Sequence, residues 1–566
     1  MKNITFASIT LFIIILVIFA TTTGSAQGQN QEVTIIAPYK PTISDAEKIP
    51  VSATIRDTVV KVPEMNYSIV SRPFTTTYEI EPLKPVFLQI EPGQSMSRNY
   101  LKAGFGNYTT PYAEFFANSL SSEKYSLGFH VRHLSSQGEI KDYPVSNFSS
   151  NRASVYGKRY LSGKVLSADV FYDRNVVHYY GVKKDDTAVF SLPDDELRQR
   201  FSLFGGDLTL ASNSKRRNTA GYIAGLRFYH LSDLFNTRET GFTLHSGISK
   251  PENILDMASG EKLGLSFNLD FWNNKDSIVS QGNVIATINP YLQLDFEHLN
   301  LTLGAQGTFS ADSSGSVYVY PAVKAFFKVI PDHLRVYFSA SGGLSRNSFY
   351  AVSRENPWIN SVFPFGFTNT KYEFKGGVTG QISQMINFNL SAAYSDAENI
   401  LLLVNDFHSY FKPDVPLNFA NKFTGIYDNA EITTISAEIG YEQPQKINAL
   451  LVVNYTDYSM EKEEHPWHKP ALEISLFSRY FVDSKLSVSG ELFFRGKAYA
   501  KIDESPAATE AVRKAYLDVN LSAEYRLRDK ISAFVLLNNM TATRYYRWYN
   551  YPSQRISAMA GLTFAF

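Results

Sequence analysis

From Asn99 onward the chain alternates apolar and polar positions in stretches of about ten residues, the strand pattern at membrane-spanning length. In "YSLGFHVRH", Tyr125, Leu127, Phe129 and Val131 fall on one face and Ser126, Gly128, His130 and Arg132 on the other. "KLGLSFNLDFW" sets Leu263, Leu265, Phe267, Leu269 and Phe271 against Gly264, Ser266, Asn268, Asp270 and Trp272. "HLNLTLGAQGTFS", "INFNLSAAYS", "ALEISLFSRY", "KLSVSGELFFRG" and "AYLDVNLSAEYRL" read the same way.

The connectors alternate too. Short ones are Ser162-Gly163, Pro331-Asp332, Gln443 to Gln445, Val482 to Ser484 and Arg528-Asp529. Long ones run from Leu134 to Asn147, Asn175 to Arg198, Arg346 to Asn369, Ala397 to Ala430, Ser459 to Lys469 and Ala498 to Arg513. Short turns at one end and long loops at the other mark an outer-membrane barrel, with an even strand number when both ends are periplasmic. The pattern predicts an all-β chain: a transmembrane antiparallel β-barrel of about 22 strands over residues 96–566, its long loops extracellular. A set of soluble sandwiches would need linkers, and none interrupts the stretch.

The N-terminal part reads differently. Lys2, the apolar run Leu11 to Ala20 and Gly24-Ser25-Ala26 compose a secretory signal peptide, residues 1–26. The run is short of the roughly 20 residues a spanning helix needs. Residues 27–95 carry Pro38, Pro41, Pro50, Pro63, Pro73, Pro82, Pro85 and Pro92 between short β-prone runs. Proline this dense excludes long helices and central strands, so an extended Pro-rich N-terminal arm is expected, periplasmic or lumen-filling.

Composition sharpens the picture in three respects. Aromatics make up 14% of the 566 residues, enough to furnish strands and interfacial girdles. Lys+Arg and Asp+Glu are 54 each, so no basic footprint for nucleic acid exists. Cysteine is absent, which excludes disulfides, thiolate ligation and a lipidated anchor.

Ionisable residues on the non-lipid face carry both signs: Glu473 with Arg479, Glu491 with Arg495, Asp518 with Glu524 and Arg526, and earlier Lys371, Glu373 and Lys375. A charge at the lipid midplane would cost a few kcal/mol, so alternation assigns them to the lumen. Mixed signs describe a hydrated, self-compensated wall rather than an ion filter. "EKEEHPWHKP" offers Glu463, Glu464, His465 and His468 as ligands, but the spacing fits no zinc signature and reads as a charged extracellular loop. No G-x-S-x-G and no nucleophilic histidine arrangement is present, so no enzyme, no cofactor and no metal are expected.

The segment "LLNNMTATRYYRWYNYPSQRISAMAGLTFAF" resembles the last two strands of TonB-dependent outer-membrane receptors. Asn538-Asn539-Met540 stands at the Asn-Asn-apolar step, followed by Tyr545-Tyr546, Tyr551-Pro552 and Arg555. Gly561 to Phe566 matches the closing Gly-apolar-x-aromatic-x-Phe. The resemblance implies a 22-stranded barrel, solute uptake, and recognition of Phe564 and Phe566 by the barrel-assembly machinery. The overall style is similar to receptor-like barrels of Bacteroidota. Departures are Ser553-Gln554 in place of Pro-Gly, and some seventy mature residues ahead of the barrel where the family has a Gly-rich plug. Glu32, Val33, Thr34, Ile35 and Ile36 form a TonB-box-like stretch, making TonB a candidate partner.

A 22-stranded lumen left unplugged would leak solute, so the arm, inward-folded loops or a partner should fill it; the arm is the expected occupant. Two functions fit: a TonB-receptor-like conduit for uptake or passage of a solute, or a non-transporting scaffold docking periplasmic or surface proteins.

Overall fold

The computed structural model describes residues 99–566, apart from 120–121, 183–192, 214–218, 253–257, 259, 312–314, 407–419 and 502–509. The expected signal peptide, the arm and Glu32 to Ile36 lie outside the described residues.

The strands are β1 (Asn99–Gly106), β2 (Thr110–Asn118), β3 (Tyr125–Ser136), β4 (Phe148–Leu161), β5 (Lys164–His178), β6 (Arg198–Ser212), β7 (Gly221–Ser232), β8 (Arg238–Glu252), β9 (Gly260–Lys275), β10 (Ser280–Asp295), β11 (Leu299–Ser310), β12 (Ser316–Ile330) and β13 (Leu334–Arg346). There follow β14 (Phe367–Ser383), β15 (Ile386–Asn405), β16 (Phe423–Gln443), β17 (Ile447–Met460), β18 (Leu472–Phe481), β19 (Leu486–Arg495), β20 (Ala498–Lys501), β21 (Glu510–Arg513), β22 (Tyr516–Arg528), β23 (Ile531–Asn538), β24 (Tyr546–Trp548), β25 (Tyr551–Pro552) and β26 (Ser557–Ala565). Two short helices, α1 (Asp194–Leu197) and α2 (Phe349–Glu355), sit in connectors.

Twenty-two strands form one antiparallel sheet that closes on itself, because β1 pairs with both β2 and β26. The hairpins β20–β21 and β24–β25 stand outside that sheet, in connectors. Closure is completed at the chain end: Asn99 N–H donates to Phe566 O at 3.0 Å, and Phe566 N–H to Asn99 O at 2.9 Å. A closed sheet leaves no edge amides unsatisfied in lipid.

The outward face is apolar, as alternation requires. Tyr125, Leu127, Phe129, Leu263, Leu265 and Phe271 are exposed, whereas His130, Arg132 and Trp272 on the opposite face are buried. At the seam, Phe534 lies flat on the wall over Gly561 and Gly104. A Cβ at Gly561 would stand 2.1 Å from Ala103 O and 2.5 Å from Phe534 Cζ, so any side chain there would press on the backbone of β1 as well as on the ring. Tyr112, Leu134, Leu536 and Met559 complete this cluster.

Wall height is uneven. β1 and β2 have 8 and 9 residues, whereas β15 and β16 have 20 and 21. The long connector expected from Ala397 to Ala430 is therefore shorter, because one strand continues to Asn405 and the next begins at Phe423. Alternation fails there for a physical reason. Leu402, Leu403 and Val404 are all buried, packed between two apolar clusters, one containing Leu403 and the other Leu402 and Val404. A strand covered on both faces reads as a continuous apolar run.

Candidate functional site

The largest group of buried apolar side chains is not in the wall but in the outer mouth. Ile140, Tyr180, Phe349, Val352, Ile359, Phe363, Phe423, Trp548 and Tyr551 join there with residues from the ends of β6, β7 and β15. They come from the connectors after β3, β5, β13 and β23 and from the start of β16, which lie at separated points of the rim. Long loops thus fold inward and bridge the opening.

Four connectors meet at one junction. Tyr179 Oη donates to Ile359 O at 2.9 Å, and Asn421 Nδ2 to Tyr179 O at 2.6 Å. Tyr551 Oη donates to Asn421 O, and Tyr180 Oη to Pro552 O at 3.1 Å. Trp358 Nε1 reaches His178 O at 3.0 Å, while its ring stacks on Tyr551 at 4.1 Å. Gly181 is the place of closest approach: a Cβ added to it would lie 2.1 Å from Tyr551 Cε2. The projecting β15–β16 hairpin joins through backbone bonds, Phe423 N–H to Trp358 O at 3.0 Å and Asn360 N–H to Phe423 O at 2.8 Å.

The polar groups around Asp233 find partners, as burial requires. Gln199 Nε2 lies 3.1 Å from Tyr179 Oη, Asp233 Oδ2 and Ser361 Oγ, and Ser361 donates to Asp233. The other Asp233 oxygen accepts from Phe235 N–H at 2.9 Å and Thr237 N–H at 2.8 Å. Desolvation nevertheless wins, lifting the Asp233 carboxyl to about 6. Burial lowers Lys422 to about 7 against the pull of Asp406, with its ammonium 5.0 Å from the Tyr179 ring centre. Glu239 caps α2 from β8, accepting Phe349 N–H at 2.7 Å and Tyr350 N–H at 3.2 Å. Ser348 supplies the N-cap, its Oγ accepting Ala351 N–H at 3.1 Å.

The charged motif of the β17–β18 connector divides its residues between two tasks. Glu463 accepts from Lys501 Nζ at 2.9 Å and Trp467 Nε1 at 2.7 Å. His465 stacks on Tyr499 at 3.8 Å and pairs with Glu510. His468 enters the mouth cluster against Phe423 and Trp548. Its Nδ1–H donates to Leu403 O at 2.9 Å, and Nε2 accepts Tyr549 N–H at 3.4 Å. Both bonds require the neutral ring, and burial holds His468 down at about 3.

The charged wall residues are distributed along β18, β19 and β22. Glu473 and Arg495 lie opposite each other and form an ion pair at 3.2 Å. Arg479 Nη2 reaches Ser487 Oγ at 3.3 Å, and Asp518 accepts Tyr545 Oη–H at 2.8 Å. Glu491 stands opposite Asn520, Glu524 opposite Ser487 and Phe534, and Arg526 opposite Ser532. On the apolar face, Phe564 and Phe566 are exposed with rings 5.2 Å apart.

Sequence reasoning missed the junction residues Tyr179, Tyr180, Trp358, Phe423, Trp548 and Tyr551. One signal was present: "PWINSVFPFGF" and "RYYRWYNYP" put dense aromatics into connectors, where a solvated loop has no use for them.

A closed antiparallel barrel of 22 strands with an apolar outer band is the architecture of an outer-membrane β-barrel. No protein-family model matches the sequence, and no curated protein does. Solved structures do match. The pyoverdine outer membrane receptor FpvA of Pseudomonas aeruginosa, bound to pyoverdine, shares 14% identity at a TM-score of 0.59, over 83% of this chain and 78% of that one. The siderophore receptor PirA of Acinetobacter baumannii shares 11% at 0.61, over 83% and 80%. The FrpB iron transporter of Neisseria meningitidis shares 10% at 0.61, over 83% and 81%. At these identities the likeness is one of fold, the fold implied by the terminal-segment resemblance.

Proposed function

We propose that this chain is a gated outer-membrane conduit of the TonB-receptor-like kind, serving uptake or passage of a solute rather than catalysis. The observation that carries the reading is the four-way junction of Tyr179, Trp358, Asn421 and Tyr551, which lays folded connectors across a mouth that would otherwise stand open. Neighbours of the same fold include a siderophore receptor and an iron transporter, which supports a transport role. In this reading the folded connectors supply the occlusion that a globular plug supplies in such receptors. Glu32 to Ile36 would contact TonB, Phe564 and Phe566 would be read by the barrel-assembly machinery before closure, and the wall charges from Glu473 to Arg526 would keep the lumen hydrated.

Liposome swelling tests it. Full-length protein should pass small sugars slowly, and deleting residues 29–85 should leave that rate low because the connectors still bridge the mouth. Fast swelling of the full-length protein would contradict the reading. Cysteine placed at Val33, in a chain with no other thiol, should crosslink to TonB if uptake is energised.

The same dense junction also fits a non-transporting scaffold. A stoichiometric periplasmic or surface partner on purification, with no solute flux under any gating condition, would favour that role.

A further inference from the structure

We propose that the mouth end of the lipid-facing surface of β7 to β10 seats the phosphate of an outer-leaflet glycolipid between Arg238 and Lys275. The inference uses the outer-membrane position of the barrel and stands whether or not the barrel conducts.

Three successive register rows cross these four strands on their outward face. The first is apolar: Phe228, Phe242, Phe271 and Val284 stand opposite one another in turn, and the three phenylalanines are exposed. One step nearer the mouth come His230, Thr240, Asn273 and Gly282, with His230 Nδ1 at 2.8 Å from Thr240 Oγ1. The last row is Ser232, Arg238, Lys275 and Ser280. Two residues of strand, roughly 6–7 Å, separate each row from the next. Apolar, neutral polar and cationic positions thus follow one another in the order of a lipid read from its acyl chains to its phosphate.

Arg238 and Lys275 are exposed, directly opposite each other and of like sign. Such a cross-strand pair is destabilising while nothing neutralises it. Neither joins an ion pair among the described residues. The acid of this edge is Asp276, whose Oδ1 accepts the turn amides of Ile278 and Val279, each at 2.7 Å. Glu239 and Asp233 are buried on the mouth side and bonded there to Phe349 N–H and Gln199 Nε2. The acids of α1 run directly into Arg198 and Arg200 of β6, and Asp194 pairs with His178 at 3.1 Å. With Asp276 counted in full, two cations of the β8–β9 edge still meet one carboxylate. Asp312, in the connector after β11, lies outside the described residues. The turn beside Lys275 leaves Ile278 and Val279 46% and 53% exposed. Open apolar side chains next to two cations suit a ligand with acyl chains better than a hydrated ion. A guanidinium fork and an ammonium match phosphate oxygens, and the hydroxyls of Ser232 and Ser280 flank them in the same row.

The test is native mass spectrometry of the full-length protein in detergent, titrated with bis-phosphorylated lipid A and with the same lipid stripped of phosphate. Retention of the phosphorylated form should exceed that of the stripped form by about tenfold, and Arg238→Gln combined with Lys275→Gln should abolish the difference. Lys275→Gln alone should lose part of it, and covers the case in which the double variant does not fold. Lys328→Gln combined with Arg335→Gln removes the same charge where β12 meets β13 near their turn, and should keep the preference. Without lipid A the Arg238–Lys275 double variant should melt no lower than the native protein, because a repulsive pair is gone; on adding lipid A only the native protein should gain stability. Equal retention of the two lipids by the native protein, or an undiminished preference in both Arg238–Lys275 variants, overturns the proposal. So does displacement of lipid A by inorganic phosphate at equimolar amounts, which would make the occupant free phosphate.

Discussion

Gly181 lies against the ring of Tyr551, so close that a Cβ on the glycine would fall 2.1 Å from the ring edge. The two residues are contributed by connectors far apart in the chain, and their contact ties those connectors together.

Substituting Gly181→Val should therefore part the junction and leave the barrel intact. The ring of Tyr551 is buried and its Oη–H donates to Asn421 O, so it has no free space to move into. Limited proteolysis should cut the connectors several-fold faster in the variant, while the heat-modifiable gel shift of the barrel is unchanged. Equal cleavage would show that the junction does not hold the connectors.

Two buried titrations should oppose each other. His468 falls from 6.5 to about 3, so the unfolded junction takes up the proton first and stability drops as pH falls below 6.5. Asp233 rises from 3.8 to about 6, so the folded junction takes up the proton first and stability increases as pH falls from 6 to 4. Between pH 6 and 4 the contributions cancel, and the native connectors should show nearly constant hydrogen-exchange protection. In His468→Gln protection should increase over that interval on acidification. In Asp233→Asn it should decrease. The same sign in both variants would refute the assignment.

Glu239 holds the start of α2 by two main-chain bonds and also accepts Tyr229 Oη–H at 2.7 Å. Glu239→Ala leaves buried donors unsatisfied, which costs about 1–3 kcal/mol each. Exchange of the Phe349 and Tyr350 amides should accelerate by at least tenfold, with the amides of β8 unaffected.

Phe566 exchanges two main-chain bonds with Asn99, but its ring faces outward beside Phe564. Closure uses the backbone and not the ring. Phe566→Ala should thus slow insertion in cells, read as lower heat-modifiable protein in outer-membrane fractions, while barrel refolded in detergent keeps its melting temperature within a few degrees. A large loss of melting temperature would give the ring a structural role instead.

The barrel was legible because its cause is local. Each strand buries one face in lipid, so Leu263, Leu265 and Phe271 alternate with Gly264, Ser266 and Asp270 whatever lies elsewhere in the chain. The junction was not legible because its contacts are remote: Tyr179 meets Ile359 across 180 residues and Tyr180 meets Pro552 across 372. Nothing in the neighbourhood of Tyr179 says which loop it will find. His468 illustrates the limit. Its loop reads as charged and solvated from Glu463 and Glu464, yet this one side chain is buried against Phe423 and Trp548. Of the wall charges, the Glu473–Arg495 pair follows from strand register, which the periodicity of one strand does not fix relative to the next.

Planar-bilayer conductance of the full-length protein beside Gly181→Val tests the closed mouth most directly. The native protein should stay near the baseline, with rare brief openings, and the variant should show sustained steps of large conductance. Large stable steps from the native protein, or indistinguishable traces from the two, would contradict it.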